Sequence, residues 1–247
     1  MKIGILGAGS IGATMARKLS GAGHEVKVAN SRGPETIAPE IVASGARAVE
    51  ATDVIADIDT LIISVPLSRI PALKDLIADV PENVVVIDTS NYYPMRDGQV
   101  QALDEGQVES VWITEQLGRP VAKAWNAILA ESFQTKGTAA GDPNRIAIPV
   151  AADRELDRKV AMTLVEDTGF DAVDTGSLAD SWRQQPGAPT YCTDLTEHQI
   201  PPALNSAKKD LIPQRRDFAM AAIMEKIEAG VTLSSADLVD LNRSIYS

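Results

Sequence analysis

The chain has 247 residues, 45% of them apolar, with a formal net charge of −11. That length and composition allow one large domain or two unequal ones with a full core, and exclude wholesale disorder. The acidic balance argues against nucleic acid and against anionic membrane surfaces as partners, while leaving room for local basic spots that hold one phosphorylated ligand.

A single cysteine, Cys192, excludes an internal disulfide and reads as a small semi-buried residue. No apolar run reaches the ~20 residues of a membrane helix. Glycine-rich turn chemistry follows Met1–Leu6 at once, unlike a signal peptide, so a cytoplasmic protein is expected.

In chain order, Lys2–Leu6 reads as a short buried strand bounded by glycine. Ser10–Ala22 reads as a helix, with Ile11, Met15 and Leu19 on one stripe and Gly21 and Gly23 ending it. Glu25–Asn30 is a second strand, which completes a strand–helix–strand unit. Pro34–Ser44 is expected to be helical, Ala46–Val49 a strand and Thr60–Val65 a central strand ending at Pro66. Leu67–Ala78 reads as a helix broken by Pro71 or starting near it, and Val84–Asp88 as another buried strand. This alternation predicts an α/β fold with a doubly wound, mostly parallel Rossmann sheet. Further on, a helix is expected at Ser110–Leu117, strands at Val121–Trp125, Arg145–Val150 and Phe170–Asp174, and an amphipathic helix at Arg154–Thr168. A long loop at Ser181–Pro202 and helices at Lys208–Ala229 and Ser235–Ile245 follow. Two units result: 1–176, a dinucleotide-binding domain with a strand extension, and 177–247, a smaller helical and loop region that completes an acceptor site.

Gly7-Ala8-Gly9-Ser10-Ile11-Gly12 fits G-x-G-x-x-G between the first strand and the first helix, the context in which that pattern binds dinucleotides. Gly7 suits the tight turn, Gly9 a close approach to pyrophosphate, and Gly12 close helix–strand packing. The helix N-terminus offers free N–H groups to the anion. An NAD site places Asp or Glu at the end of the second strand to bind the ribose 2′-hydroxyl. Here Asn30-Ser31-Arg32 stands there instead. A hydroxyl and a guanidinium suit the 2′-phosphate of NADP(H), which a carboxylate would repel.

Ser64-Val65-Pro66 and Thr89-Ser90-Asn91 follow buried strands and are candidate walls for the ribose and nicotinamide, or simple turns. Lys123 and Asn126 form a mid-chain group that could bind substrate, or else a snorkelling lysine and a turn. His24 reads as a solvated turn residue, and His198 is a weaker substrate candidate. The segment from Trp182 to Thr193, with two large aromatics and an arginine, is either a binding loop for a planar ligand or a surface crossover. No metal-ligand or serine-hydrolase spacing occurs, so no metal is expected. Phe218, Met220, Ile223, Met224 and Ile227 form either a core stripe, the favoured reading, or a homodimer face.

Ile3–Gly12, Asn30-Ser31-Arg32, Ser64-Val65-Pro66 and Lys123-Ala124-Trp125-Asn126 together resemble the deazaflavin (coenzyme F420) dependent NADP oxidoreductases, with good likeness over residues 1–130. The resemblance implies NADPH across the carboxyl edge of the sheet and a deazaflavin or flavin ring as small-molecule co-substrate, with direct hydride transfer and little acid–base help. Two alternatives stand beside it. One is a small carbonyl or imine dehydrogenase of the β-hydroxyacid type, with Lys123 as proton donor. The other is a non-enzymatic NADP(H) sensor.

Overall fold

The computed structural model describes residues 1–246. Eight strands form one sheet: β1 Lys2–Leu6, β2 Glu25–Ala29, β3 Arg47–Ala48, β4 Thr60–Ile63, β5 Val85–Asp88, β6 Ala122–Lys123, β7 Ala147–Ala152 and β8 Asp171–Asp174. Their spatial order is β3-β2-β1-β4-β5-β6-β7-β8. Strands β1 to β6 pair in parallel. β7 runs antiparallel to β6, and β8 pairs in parallel with β7, so the last two strands reverse direction together. This is the expected doubly wound Rossmann architecture, extended by a reversed pair at one edge. The chain winds outward from β1 to β3, then returns to the other side of β1 at β4. The carboxyl ends of β1 and β4 therefore border the switch point where such sheets bind ligands.

The helices are α1 Ser10–Gly21, α2 Pro39–Ala43, α3 Lys74–Ala78, α4 Pro94–Asp97, α5 Gln101–Asp104, α6 Glu109–Leu117, α7 Ala130–Thr135, α8 Glu155–Asp167, α9 Ile200–Ser206, α10 Ile212–Glu228 and α11 Ser235–Tyr246. One apolar cluster packs Met15 and Leu19 of α1 and Leu164 and Val165 of α8 against β1, β2, β5 and β7. A second joins Leu6, Leu61, Ile63 and Val86 to Trp112 and Ile113 of α6 on the other face. Residues pointing to opposite faces of central strands are buried alike, which is why these strands read as continuous apolar runs. No helix among the described residues is long and apolar enough to cross a membrane.

Several elements differ from the sequence reading. Pro34–Ser44 splits into a 3-10 turn at Pro34–Thr36 and the short α2, because Ala38 precedes Pro39 and takes an extended conformation, φ −58° and ψ 133°. Leu67–Leu73 is 3-10 rather than α-helical, with Pro71 inside it. The strand expected over Val121–Trp125 stops at Lys123, and Trp125 turns to φ +55°. The expected long loop 181–202 carries 3-10 turns at Leu178–Gln184 and Glu197–Gln199 and opens α9. Its middle is no surface crossover: Pro186–Thr193 is buried, with Ala188, Tyr191 and Cys192 in a third apolar cluster beside Ile212 and Tyr246.

A cleft at the carboxyl ends of the first strands

Gly7, Gly9 and Gly12 have separate physical jobs. Gly7 has φ +107°, and a Cβ there would lie 2.0 Å from the Ser64 carbonyl oxygen. A Cβ on Gly12 would lie 2.0 Å from the Gly7 carbonyl oxygen. Both positions are closed by the protein itself. A Cβ on Gly9 meets nothing within 4 Å, so the space above it is open. Gly9 caps α1 without a side-chain bond, and the first turn carries no acid. The N–H groups and positive end of the helix dipole therefore face outward uncompensated.

Beside this turn lies a cleft of about 610 Å³, within the ordinary range of small-ligand sites. Gly7, Gly9, Asn30, Ser31, Arg32, Ser64, Val65 and Pro66 all line it. Three turns meet there because β1, β2 and β4 are neighbours in the sheet. Ser64 N–H donates to the Leu6 carbonyl at 2.7 Å and Gly7 N–H to the Ala29 carbonyl at 2.8 Å, which locks the turns to one another. Asn30 works through its neighbours: its Oδ1 accepts from Arg32 N–H at 2.8 Å, and its Nδ2 donates to Thr36 Oγ1 at 2.8 Å. That local bonding holds Ser31 and Arg32 exposed at the rim.

A second arginine, Arg69, lines the same cleft from the 3-10 turn after β4, and it was not anticipated. Neither Arg32 nor Arg69 makes a side-chain hydrogen bond or ion pair among the described residues. The apolar wall comes from Ala72, Leu73 and Leu76. Ser10, Ile11 and Gly12 stand behind the turn at the start of α1 and do not line the cleft.

Two free guanidiniums, an uncapped helix N-terminus, open space at Gly9 and an apolar wall fit a phosphorylated dinucleotide. The protein's own carboxylates do not fill these positions.

Asn91 lies outside the cleft, at the carboxyl end of β5. Its Nδ2 donates to the Asn126 carbonyl at 2.9 Å, and its own carbonyl accepts from Arg96 at 2.6 Å. Asn126 is 2% exposed and donates to Asn91 Oδ1 at 3.2 Å and to the Gln184 carbonyl at 2.7 Å.

Lys123 is fully buried. Its Nζ donates to Asp88 Oδ2 at 3.0 Å and to the Ser90 carbonyl, and lies 4.0 Å from Glu109 Oε2. It is neither a snorkelling surface lysine nor a side chain facing a ligand cleft; it ties β6 to the turn after β5.

The histidines lie elsewhere. His24 is not simply solvated: it bridges the N-terminal amine at 3.1 Å and Asp167 at 3.0 Å. His198 is exposed beside Arg145 and Asp171 at the far end of the sheet, in a different hollow of about 230 Å³.

Trp182 is half-buried with the Arg183 guanidinium 4.4 Å from its ring centroid. Tyr191 accepts a hydrogen bond from Tyr93 at 2.9 Å, and burial holds both phenols well above their usual range. Burial likewise pushes the Cys192 thiol up, which keeps it protonated and unreactive. Among the described residues no cluster of side chains suits a metal ion.

Residues 2–92 match the family described as NADP oxidoreductase, coenzyme F420-dependent. The Escherichia coli (strain K12) protein YjhV is 42% identical over 105 residues, which cover 42% of this chain and 74% of YjhV. The crystal structure of hypothetical protein SMa0349 from Sinorhizobium meliloti superposes with a TM-score of 0.66 at 27% identity, covering 80% of this chain and 96% of that one. A structure from Arthrobacter sp. FB24, described as a candidate F420-dependent NADP-reductase, superposes with a TM-score of 0.60 at 24% identity, covering 73% of this chain and 87% of that one.

Proposed function

The chain belongs to the coenzyme F420-dependent NADP oxidoreductase family, whose chemistry is NADP(H)-dependent oxidoreduction, and on that premise we propose that it is a cytoplasmic NADPH-dependent reductase passing hydride to a planar deazaflavin- or flavin-type ring or a comparable small acceptor. Bound NADPH supplies the hydride. In this reading the Gly9 backbone and the first N–H groups of α1, Ser10 and Ile11 included, hold the pyrophosphate, and Gly7 and Gly12 keep that turn closed. Ser31 and Arg32, set by Asn30, take the 2′-phosphate, with Arg69 as a second cation across the cleft. Ser64, Val65 and Pro66 wall the ribose, and Asn91 shapes the nicotinamide end.

The acceptor reading is carried by one observation: the ammonium of Lys123 is fully buried and committed to Asp88 and Ser90. Reducing a ketone or imine needs a proton donor at the developing charge, worth roughly 10²–10⁴ in rate. A ring acceptor can take its proton from water. Lys123 and Asn126 thus act by holding the turn after β5 and not as acid and base. Residues 1–176 form the cofactor unit, since the sheet ends at Asp174, and 177–247 complete the acceptor side. The same proposal includes a homodimer. The stripe expected as core is largely outside it, with Phe218 63% and Ile227 54% exposed along α10.

The test follows NADPH oxidation with a panel of deazaflavin, flavin, small ketones and small imines. Turnover with a ring acceptor above all others is expected. Faster reduction of a ketone or imine would overturn the acceptor assignment.

A further inference from the structure

We propose that Glu109 is a positioning residue for the turn after β5: a carboxyl that exchanges protons through a small cavity and, by its charge, sets how Lys123 holds residues 88–91. The effect on cofactor handling rests on the NADP(H) reading above; the proton exchange itself does not.

Glu109 opens α6 and is only 2% exposed. Its backbone N–H donates to Gln185 Oε1 at 3.2 Å, which fixes the helix start. Two carboxylates, Asp88 and Glu109, face one ammonium in the core. Asp88 collects three donors: Lys123 Nζ at 3.0 Å, Ser90 N–H at 3.2 Å and Ser90 Oγ at 2.7 Å. Glu109 Oε2 has no hydrogen-bond partner and lies 4.0 Å from Lys123 Nζ. Like charges around one cation in a buried site favour protonating the less well served acid.

A cavity of about 60 Å³, lined by Glu109, Tyr92, Gln185, Trp182 and Arg216, borders this carboxyl. At roughly 10–15 Å³ each it has room for several waters, enough to carry a proton. Burial raises Glu109 to about 7, with Lys123 and a Tyr92 backbone N–H opposing the shift.

When Glu109 is neutral, Lys123 is left to Asp88 and the Ser90 carbonyl. When it ionises it draws the ammonium toward itself, at the expense of the Ser90 contact. Ser90 leads directly into Asn91, so the shift is felt at the turn. The charged groups facing Glu109 are Asp88 from β5, Lys123 from β6, and Arg216 and Lys209 from the C-terminal region. On the 3-10 turn packed against α6, Asp180 and Arg183 pair with each other at 2.6 Å. Arg69, Lys74, Asp75 and Asp104, on the other elements touching α6, are exposed, and Asp104 accepts from the Tyr92 hydroxyl at 2.9 Å.

The experiment follows the amide resonances of Ser90 and Asn91 with pH in the ligand-free wild type, Glu109→Gln and Glu109→Asp, alongside NADPH affinity. The wild type should show a midpoint near neutrality, about 7, where burial places the Glu109 carboxyl. The Gln variant should lack that midpoint and the Asp variant recover one at a shifted pH. Affinity should change across the transition by at least about fivefold, the low end of ordinary coupling between sites, in the wild type and, at its own midpoint, in Glu109→Asp, but not in Glu109→Gln. Retention of the wild-type midpoint in Glu109→Gln overturns the proposal, as does a wild type without one. If Glu109→Gln does not fold, the Asp variant decides: an unshifted midpoint there overturns it. Absence of NADPH binding at every pH, with the midpoint intact, contradicts the cofactor reading and leaves the proton exchange supported.

Discussion

Arg32 and Arg69 reach one cleft from the ends of different strands, and neither spends its charge on the protein. A charge-assisted contact to phosphate is worth on the order of 1.5–3 kcal/mol, tenfold or more in affinity. Arg32→Ala should therefore weaken NADPH at least tenfold, measured by calorimetry, and leave NADH almost unchanged. Arg69→Ala should weaken NADPH in the same direction; an unaltered constant would remove Arg69 from the site. Gly9→Val should abolish NADPH binding in a folded protein, since its side chain enters open space that a pyrophosphate would need. Normal binding by that variant, with an unchanged circular dichroism spectrum, would make the turn purely structural. At this scale the glycines and Asn30-Ser31-Arg32 were legible because turn chemistry is local. Arg69 and Glu109 were not, because each gains meaning only from neighbours far away in sequence: Arg69 from the turns after β1 and β2, Glu109 from Lys123 and Arg216.

β6 shows how an element can be read correctly in place and wrongly in extent. Its two residues pair with β5 on one side and β7 on the other, then the left-handed Trp125 turns the chain away. An apolar run cannot reveal that early stop, nor that Lys123 lies wholly inside. Removing one partner of a buried ion pair costs about 3–5 kcal/mol. Lys123→Met should lose stability on that scale in urea unfolding, because Asp88 keeps its charge in the core; near wild-type stability would contradict a buried Lys123–Asp88 pair. α10 was located by its pattern, but its amphipathic stripe was assigned to the core. Met220 and Ile223 are half-buried while Phe218, Met224 and Ile227 are exposed, so the stripe serves two surfaces. Light scattering should give a dimer that Phe218→Glu with Ile227→Glu converts to monomer, and a wild-type monomer would remove that proposal.

Across the whole molecule the strand order rests on short strands joined mostly through helices over the first 90 residues, with the link from β3 to β4 made of turns alone. That regularity made the sheet and the cleft position readable. Beyond it the chain departs from that pattern. β7 and β8 reverse, and the C-terminal region builds its own apolar cluster around Tyr191, Cys192 and Tyr246 instead of an open loop. Composition could not show this, since a Pro- and Gly-rich segment looks alike buried or exposed.

A cleft along residues 7 to 76 built for NADP(H) must distinguish the two nicotinamide cofactors by the 2′-phosphate. Calorimetric titration of the wild-type protein with NADPH and with NADH measures that difference. Saturable NADPH binding at least about tenfold tighter than NADH is expected, consistent with one charge-assisted phosphate contact. Equal affinities, or no binding of either, would contradict it.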